Sequence, residues 1–193
     1  MKQFLSLITA IIIVGATTNL AQAADKYKLD PRHTNIIWKA GHFGFSFPSG
    51  KFTNTEGVLI LDEKDLSKSK IEVTINLATI NTGEKKFDGH LSSPDFFNVK
   101  KYKIAKFKST KVVMKSDNQA KVHGTLTLNG ITKPVILTAK LNKIGPSPAT
   151  KRKTAGFSAT TTIKRSEFGI KFGLPAIEDN VKIDIETEAI LAN

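Results

Sequence analysis

"VKIDIETEA", residues 181–189, sets Val181, Ile183, Ile185 and Ala189 against Lys182, Asp184, Glu186 and Glu188. In an extended chain successive side chains point to opposite faces, so this run presents one apolar and one charged face along a strand and fits no helical period. The same alternation recurs through the chain. Ile71, Val73, Ile75 and Leu77 alternate with Glu72, Thr74 and Asn76, and Val122, Gly124, Leu126 and Leu128 alternate with His123, Thr125 and Thr127. Val135, Leu137, Ala139 and Leu141 follow Pro134, which suits the first residue of a strand, and Phe157, Ala159, Thr161 and Ile163 repeat the pattern. Valine, isoleucine and threonine fill these runs, as half-buried pleated strands prefer.

Turn chemistry separates the runs: Asn81-Thr82-Gly83, Ser116-Asp117-Asn118, Asn129-Gly130 and Gly145-Pro146-Ser147-Pro148. Short connections and alternation favour an antiparallel sheet over parallel βαβ units. About eight strands are expected, and a sheet of that size removes its edges by closing into an up-and-down barrel. The fold expected is therefore all-β, an eight-stranded antiparallel barrel. One segment departs from the rule. "EKKFDGHLSSPDFFNV", residues 84–99, lacks alternation; Phe87 and Leu91 stand at helical spacing and Pro94 would end the helix, so a short helix capping one end of the barrel is expected there.

The N-terminus is set apart from this domain. Lys2, an apolar run from Phe4 to Ala16 and a closing Ala21-Gln22-Ala23 have the three parts of a secretory signal peptide. The run is too short to span a bilayer. The expectation is a cleavable leader over 1–23, a periplasmic protein, and a single β-barrel domain over 24–193. With no cysteine in the chain, disulfides, lipoprotein acylation, thiolate metal sites and a cysteine nucleophile are all excluded. Four histidines at unrelated spacings give no metal-binding pattern, so neither a metal nor a cofactor is expected.

Net charge is +12, with lysines concentrated at Lys100, Lys101, Lys103, Lys106, Lys108 and Lys111 and again at Lys151-Arg152-Lys153. A basic surface is either simply solvated or drawn to anionic lipid or phosphate; export makes nucleic acid an unsuitable partner.

"GHFGFSFPSGKF", residues 41–52, holds four of the twelve phenylalanines. Read as a strand, it puts Phe43, Phe45 and Phe47 on one face, the wall of an apolar interior, with small residues opposite. Twelve phenylalanines against two tyrosines and one tryptophan supply apolar area with few polar tips. An eight-stranded barrel either fills its interior with side chains or holds one ligand. Candidate wall residues are Trp38, Phe43, Phe45, Phe47, Phe52, Phe87, Leu91, Phe97, Phe107, Phe157 and Phe168. Candidate polar residues at the mouth are His42, Lys86, Asp88, His90 and Arg165. Asp88 and His90 are close enough in sequence to pair, either to meet a head group or to pin a loop. Arg165 has two readings: a bidentate phosphate contact, or a salt bridge to Glu167 or Glu178. No catalytic residue is expected, because G-x-S-x-G, a phosphate-cradling glycine loop, a dinucleotide fingerprint and HExxH are all absent.

These stretches together resemble the YceI family of exported, lipocalin-like, polyisoprenoid-binding proteins. The resemblance rests on "YKLDPRHT" (27–34), "GHFGFSFPSGKF" (41–52), "FDGHLSSPDFFNV" (87–99), "GTLTLNGITKPV" (124–135) and "RSEFGI" (165–170). It implies a lipocalin-like barrel enclosing an elongated apolar cavity, non-catalytic, with a long-chain isoprenoid, a quinone tail or a fatty amide as ligand. Phe87 stands where the family commonly has arginine, leaving Lys86 as the neighbouring cation, and Trp38 replaces a smaller residue. Burial alone drives such binding: at roughly 0.8 kcal/mol per CH₂, about twenty carbons release on the order of 16 kcal/mol before association costs. The alternative function is a basic interaction module docking on an anionic membrane or a protein partner; a second copy of the chain is a further candidate partner.

Overall fold

The computed structural model describes residues 24–192. The leader expected over 1–23 lies outside the described residues. Eleven strand segments form a single antiparallel sheet: β1 (Asp25–Leu29), β2 (Asn35–His42), β3 (Ser49–Phe52), β4 (Thr55–Leu61), β5 (Lys70–Asn76), β6 (Ile80–Asn81), β7 (Ile104–Met114), β8 (Gln119–Leu128), β9 (Ile131–Pro146), β10 (Lys153–Lys164) and β11 (Ile177–Leu191).

These segments are eight staves, because each of the first three is broken in two. β1 and β2 are one stave interrupted at Asp30-Pro31, where the Arg32 amide donates to Asp30 Oδ1 at 3.0 Å and proline can offer no ladder donor. β3 and β4 are separated at Thr53-Asn54. A 3₁₀ turn, Leu77–Thr79, divides β5 from β6, and the Asn76 side chain caps it by accepting from the Ala78 amide at 3.1 Å. The ring runs β4-β5-β7-β8-β9-β10-β11 and closes where β1 pairs with both β4 and β11, Leu29 lying opposite Ala189. The barrel is the one the alternating runs predict.

The runs also point the way their period requires. Ile183 and Ile185 face the interior while Lys182 and Asp184 face solvent, and Phe157, Ala159 and Thr161 do the same on β10. Asn129 and Gly130, with φ of 51° and 73°, make the two-residue turn between β8 and β9, the geometry that Asn-Gly favours.

A single α-helix of the described residues, α1 (Lys85–Ser92), follows β6. Glu84 starts it by accepting from the Lys86 and Phe87 amides at 2.9 and 2.6 Å, and the helix stops two residues before Pro94. Its buried residue, Leu91, packs into the main core with Trp38, Phe52 and Phe107. Topology gathers four connections at this same end: 43–48, 82–103, 129–130 and 165–176.

The stretch at 41–52 is not the continuous strand its spacing suggests. β2 ends at His42, and the chain turns through Phe43 and Gly44 at φ of 51° and 74°. The His42 amide donates to the Ser46 carbonyl at 2.9 Å and the Phe45 amide to the His42 carbonyl at 3.0 Å. Gly44 tolerates the left-handed backbone and Pro48 offers no donor, so turn chemistry overrides the period of two. β3 resumes at Ser49. There Gly50 lies opposite Trp38, whose indole covers it: a Cβ at Gly50 would come 2.7 Å from Trp38 Cζ2.

A second, smaller core, of Tyr27, Leu29, Leu59, Leu61, Ala155 and Ala189, lies towards the opposite end. Tyr27 is fully buried and its hydroxyl donates to Glu63 at 2.8 Å. Burial, then the hydrogen bond and charge of Glu63, push the Tyr27 phenol from 10.0 up to about 12. A raised pKa means the fold favours the protonated phenol. Its contribution to stability is therefore full below pH 10.0 and fades as pH rises through about 12. In Tyr102→Phe protein, where Tyr27 is the remaining tyrosine, absorbance titration is expected to show ionisation near pH 12. A midpoint at 10.0 would show the phenol to be solvated.

Candidate functional site: an apolar cavity through the barrel

The inward faces of the staves do not meet. They enclose a cavity of about 560 Å³, within the roughly 300–1,000 Å³ range of small-molecule sites. It runs the length of the barrel, from Leu66 and Asn118 at one end to His42, Phe43, Pro48 and Phe172 at the end capped by α1. Phe43 and Phe172 belong to its wall and are also exposed to solvent, so the cavity reaches the surface at the α1 end.

The space exists because small residues stand where the sheet could have carried large ones. Ala120, Ala139 and Ala159 are consecutive cross-strand partners on β8, β9 and β10, and all three face the cavity. Leucine, isoleucine and valine make half of the remaining wall. That aliphatic share is legible in the alternating runs, but a search for aromatic residues passes over it.

Of the wall residues expected from sequence, Trp38, Phe43, Phe52, Phe87, Leu91, Phe97, Phe107 and Phe157 line this cavity. Three do not. Phe45 and Phe47 stand on the β2–β3 turn, Phe45 with 91% of its surface exposed, because the backbone that would have turned them inward is a turn and not a strand. Phe168 is solid core, packed beneath the 3₁₀ turn Arg165–Phe168 and outside the cavity wall. Phe96 and Phe172, which are not among the candidate wall residues, join the wall through irregular segments that carry no periodic signal.

The polar candidates separate similarly. His42 and His90 reach the cavity. His90 does not pair with Asp88: its Nε2 lies 3.2 Å from Asp95 Oδ2, and its ring meets Phe96 and Phe172 edge to face. Asp88 instead accepts from the Thr82 amide and hydroxyl, both at 2.7 Å, and ties α1 to the end of β6. Asp88 and Lys86 both lie outside the cavity wall.

Arg165 borders the cavity with only 4% of its surface exposed, yet neither reading of it holds. Its guanidinium donates to four backbone carbonyls, those of Ile170, Phe172, Ile177 and Glu178, at 2.8 to 3.2 Å. Burial lowers its pKa and the neighbouring Asp179 charge opposes that shift. Four of the five donors that could have met a phosphate, or the carboxylates of Glu167 and Glu178, are spent on the 165–178 backbone. The residue shapes the mouth by fixing this connection.

Two polar atoms on wall residues, Trp38 Nε1 and Thr55 Oγ1, are buried without a hydrogen-bond partner. On the outside of the barrel, Asp30, His33 and Glu188 bring their donor atoms within 4.8 Å of one another. His33 Nδ1 is already bonded to Asp30 at 2.7 Å, which raises the His33 pKa and lowers that of Asp30. The lysines at 106 and 108 alternate outward on β7 opposite Ala105 and Phe107, and Lys108 pairs with Glu72 at 2.6 Å.

The architecture has known counterparts. The YceI-like domain family matches residues 27–189. A UPF0312 protein of Serratia proteamaculans is 41% identical over 193 residues, covering 99% of this chain and 98% of its own. The crystal structure of a Campylobacter jejuni YCEI protein superposes with a TM-score of 0.70 at 30% identity, over 79% of this chain and 90% of that one. A polyisoprenoid binding domain from Saccharophagus degradans, implicated in plant cell wall breakdown, shares the fold at a TM-score of 0.68 and 14% identity, over 89% of this chain and all of that one. The chain belongs to the YceI-like domain family.

Proposed function

We propose that this protein is a non-catalytic carrier, exported to the periplasm, that holds a long-chain isoprenoid or related amphiphile in the barrel: a polyprenyl phosphate, a quinone tail or a fatty amide. The observation that carries the reading is the cavity itself. It is long, about 560 Å³ in volume, and walled almost wholly by hydrocarbon side chains. Such a wall selects for apolar chains by burial and gives little hold to a polar solute. The polyisoprenoid-binding neighbour of the same fold supports this choice of ligand class. Chain length would be set by the distance between Leu66 and Phe172, and the head group would sit near His42 and His90 at the α1 end. Among the described residues, no group at the cavity forms a nucleophile–base pair, which supports carriage over chemistry.

Organic extraction of the purified protein followed by mass spectrometry is expected to yield a polyprenyl or quinone species. Delipidated protein is expected to take up a fluorescent polyprenyl probe at micromolar affinity or better, since burial of about twenty carbons exceeds the cost of association. Protein that yields no lipid and takes up neither a polyprenyl nor a quinone probe would sink the reading.

A further inference from the structure

We propose that the β2–β3 turn is a membrane-docking element, its phenylalanines entering an anionic lipid surface and setting the α1-end mouth of the cavity against it. The inference rests on the carrier reading and names where the carrier meets its source of lipid. Three rings in five residues stand in water: Phe43 is 53% exposed, Phe45 91% and Phe47 63%. Exposed apolar surface of this kind marks an interaction site. Nothing about folding calls for it, because Phe45 and Phe47 contribute neither to the cores nor to the cavity wall.

The backbone presents these rings firmly. Phe43 holds a positive φ of 51°, which bulky residues rarely adopt, and its amide donates to the Ala176 carbonyl at 2.9 Å. The His42–Ser46 bridge closes the turn. The Ala176 bond ties it to the 165–176 connection, which Arg165 fixes and which carries the exposed Phe172. Phe43 and Phe172 therefore belong at once to the surface patch and to the cavity wall, and an acyl or isoprenoid chain leaving a bilayer at this point would pass from lipid to cavity without crossing water.

The net charge of the chain favours an anionic bilayer as the occupant. The chain carries +12 overall. At the α1 end Lys85, Lys86, Lys100, Lys103, Lys133 and Lys171 form no ion pair among the described residues. Most carboxylates there are engaged within the fold: Glu84 caps α1, Asp88 holds Thr82, Asp95 meets His90 and Asp179 accepts from Ser166. Glu56, Glu167 and Glu178 are exposed and make no side-chain hydrogen bond or ion pair among the described residues, and Glu84 and Asp95 are exposed as well. Apolar rings flanked by mobile cations are the combination that binds an anionic lipid interface.

The test is flotation of the purified protein with phosphatidylcholine vesicles, with and without phosphatidylglycerol, comparing wild type with Phe45→Ser/Phe47→Ser. Wild type is expected to float with the phosphatidylglycerol vesicles and the variant to lose about tenfold or more of that partition. Because both rings lie outside the cores and the wall, melting temperature and uptake of a polyprenyl probe in solution are expected to stay unchanged. The proposal is overturned if the variant floats as well as wild type, or if wild type does not float. It is equally overturned if sedimentation shows the rings joining two copies of the chain while vesicle partition is indifferent to them. A wild type that floats through Phe45 and Phe47 but takes up no probe would remove the carrier reading and leave the docking element standing.

Discussion

Ala139→Phe and Ala159→Phe, made separately, are each expected to lower uptake of a polyprenyl probe by about a hundredfold while leaving the fold intact. The two alanines are cross-strand partners on β9 and β10 and continue to Ala120 on β8, forming a band where the wall stands back from the barrel axis. A benzyl group placed there takes the room of several methylenes. Four methylenes lost from contact at roughly 0.8 kcal/mol each amount to about 3 kcal/mol, or two orders of magnitude in affinity. The barrel should not suffer, because the new ring enters space already present and buries apolar area of its own. Circular dichroism melts should show an equal or higher midpoint, and probe titration should show the loss. If both variants bind the probe as wild type does, the cavity in this part of the barrel is not where the chain lies.

Arg165→Met is expected to cost roughly 4 kcal/mol of stability or more, seen as a lowered urea midpoint and a fall in melting temperature of about 10 °C. The magnitude follows from what is left behind. Four carbonyls, the buried one of Ile170 and the part-buried ones of Phe172, Ile177 and Glu178, lose their donor together, and a carbonyl left unsatisfied costs up to about 1–3 kcal/mol before relaxation and entering water recover part of it. Arg165→Lys should not restore stability, because one ammonium has three donors and none of the planar fork that spans four acceptors. The 165–176 connection should become the first point of proteolysis, exposing the mouth that Phe172 frames. A loss below about 1 kcal/mol in the methionine variant would mean that the connection is held by other contacts.

The two variants separate binding from architecture. One fills the cavity and spares the frame; the other removes the frame's central donor. This division bears on reading arginine from sequence. "RSEFGI" gives a cation three residues ahead of an apolar one, a pattern equally compatible with a phosphate site, a salt bridge and a backbone clamp. Only the path of residues 170–178 around the guanidinium distinguishes them.

The sequence by itself determined the barrel, the number of its staves, a short helix carrying Phe87 and Leu91 and the inward set on β5, β8, β9, β10 and β11. It could do so because a pleated strand converts a period of two directly into two faces, and burial enforces the register. Three matters were decided by the tertiary structure alone. Whether the inward side chains would meet or leave a cavity depends on how Ala120, Ala139 and Ala159 align across separate strands, a sum no single run contains. Whether His90 would pair with Asp88 or Asp95 depends on where α1 turns the ring. The phenylalanines at 43, 45 and 47 depend on two left-handed residues, since a positive φ at Phe43 and Gly44 ends the strand and with it the alternation that would have turned all three rings inward. The outcome is one ring at the mouth of the cavity and two in solvent beside it.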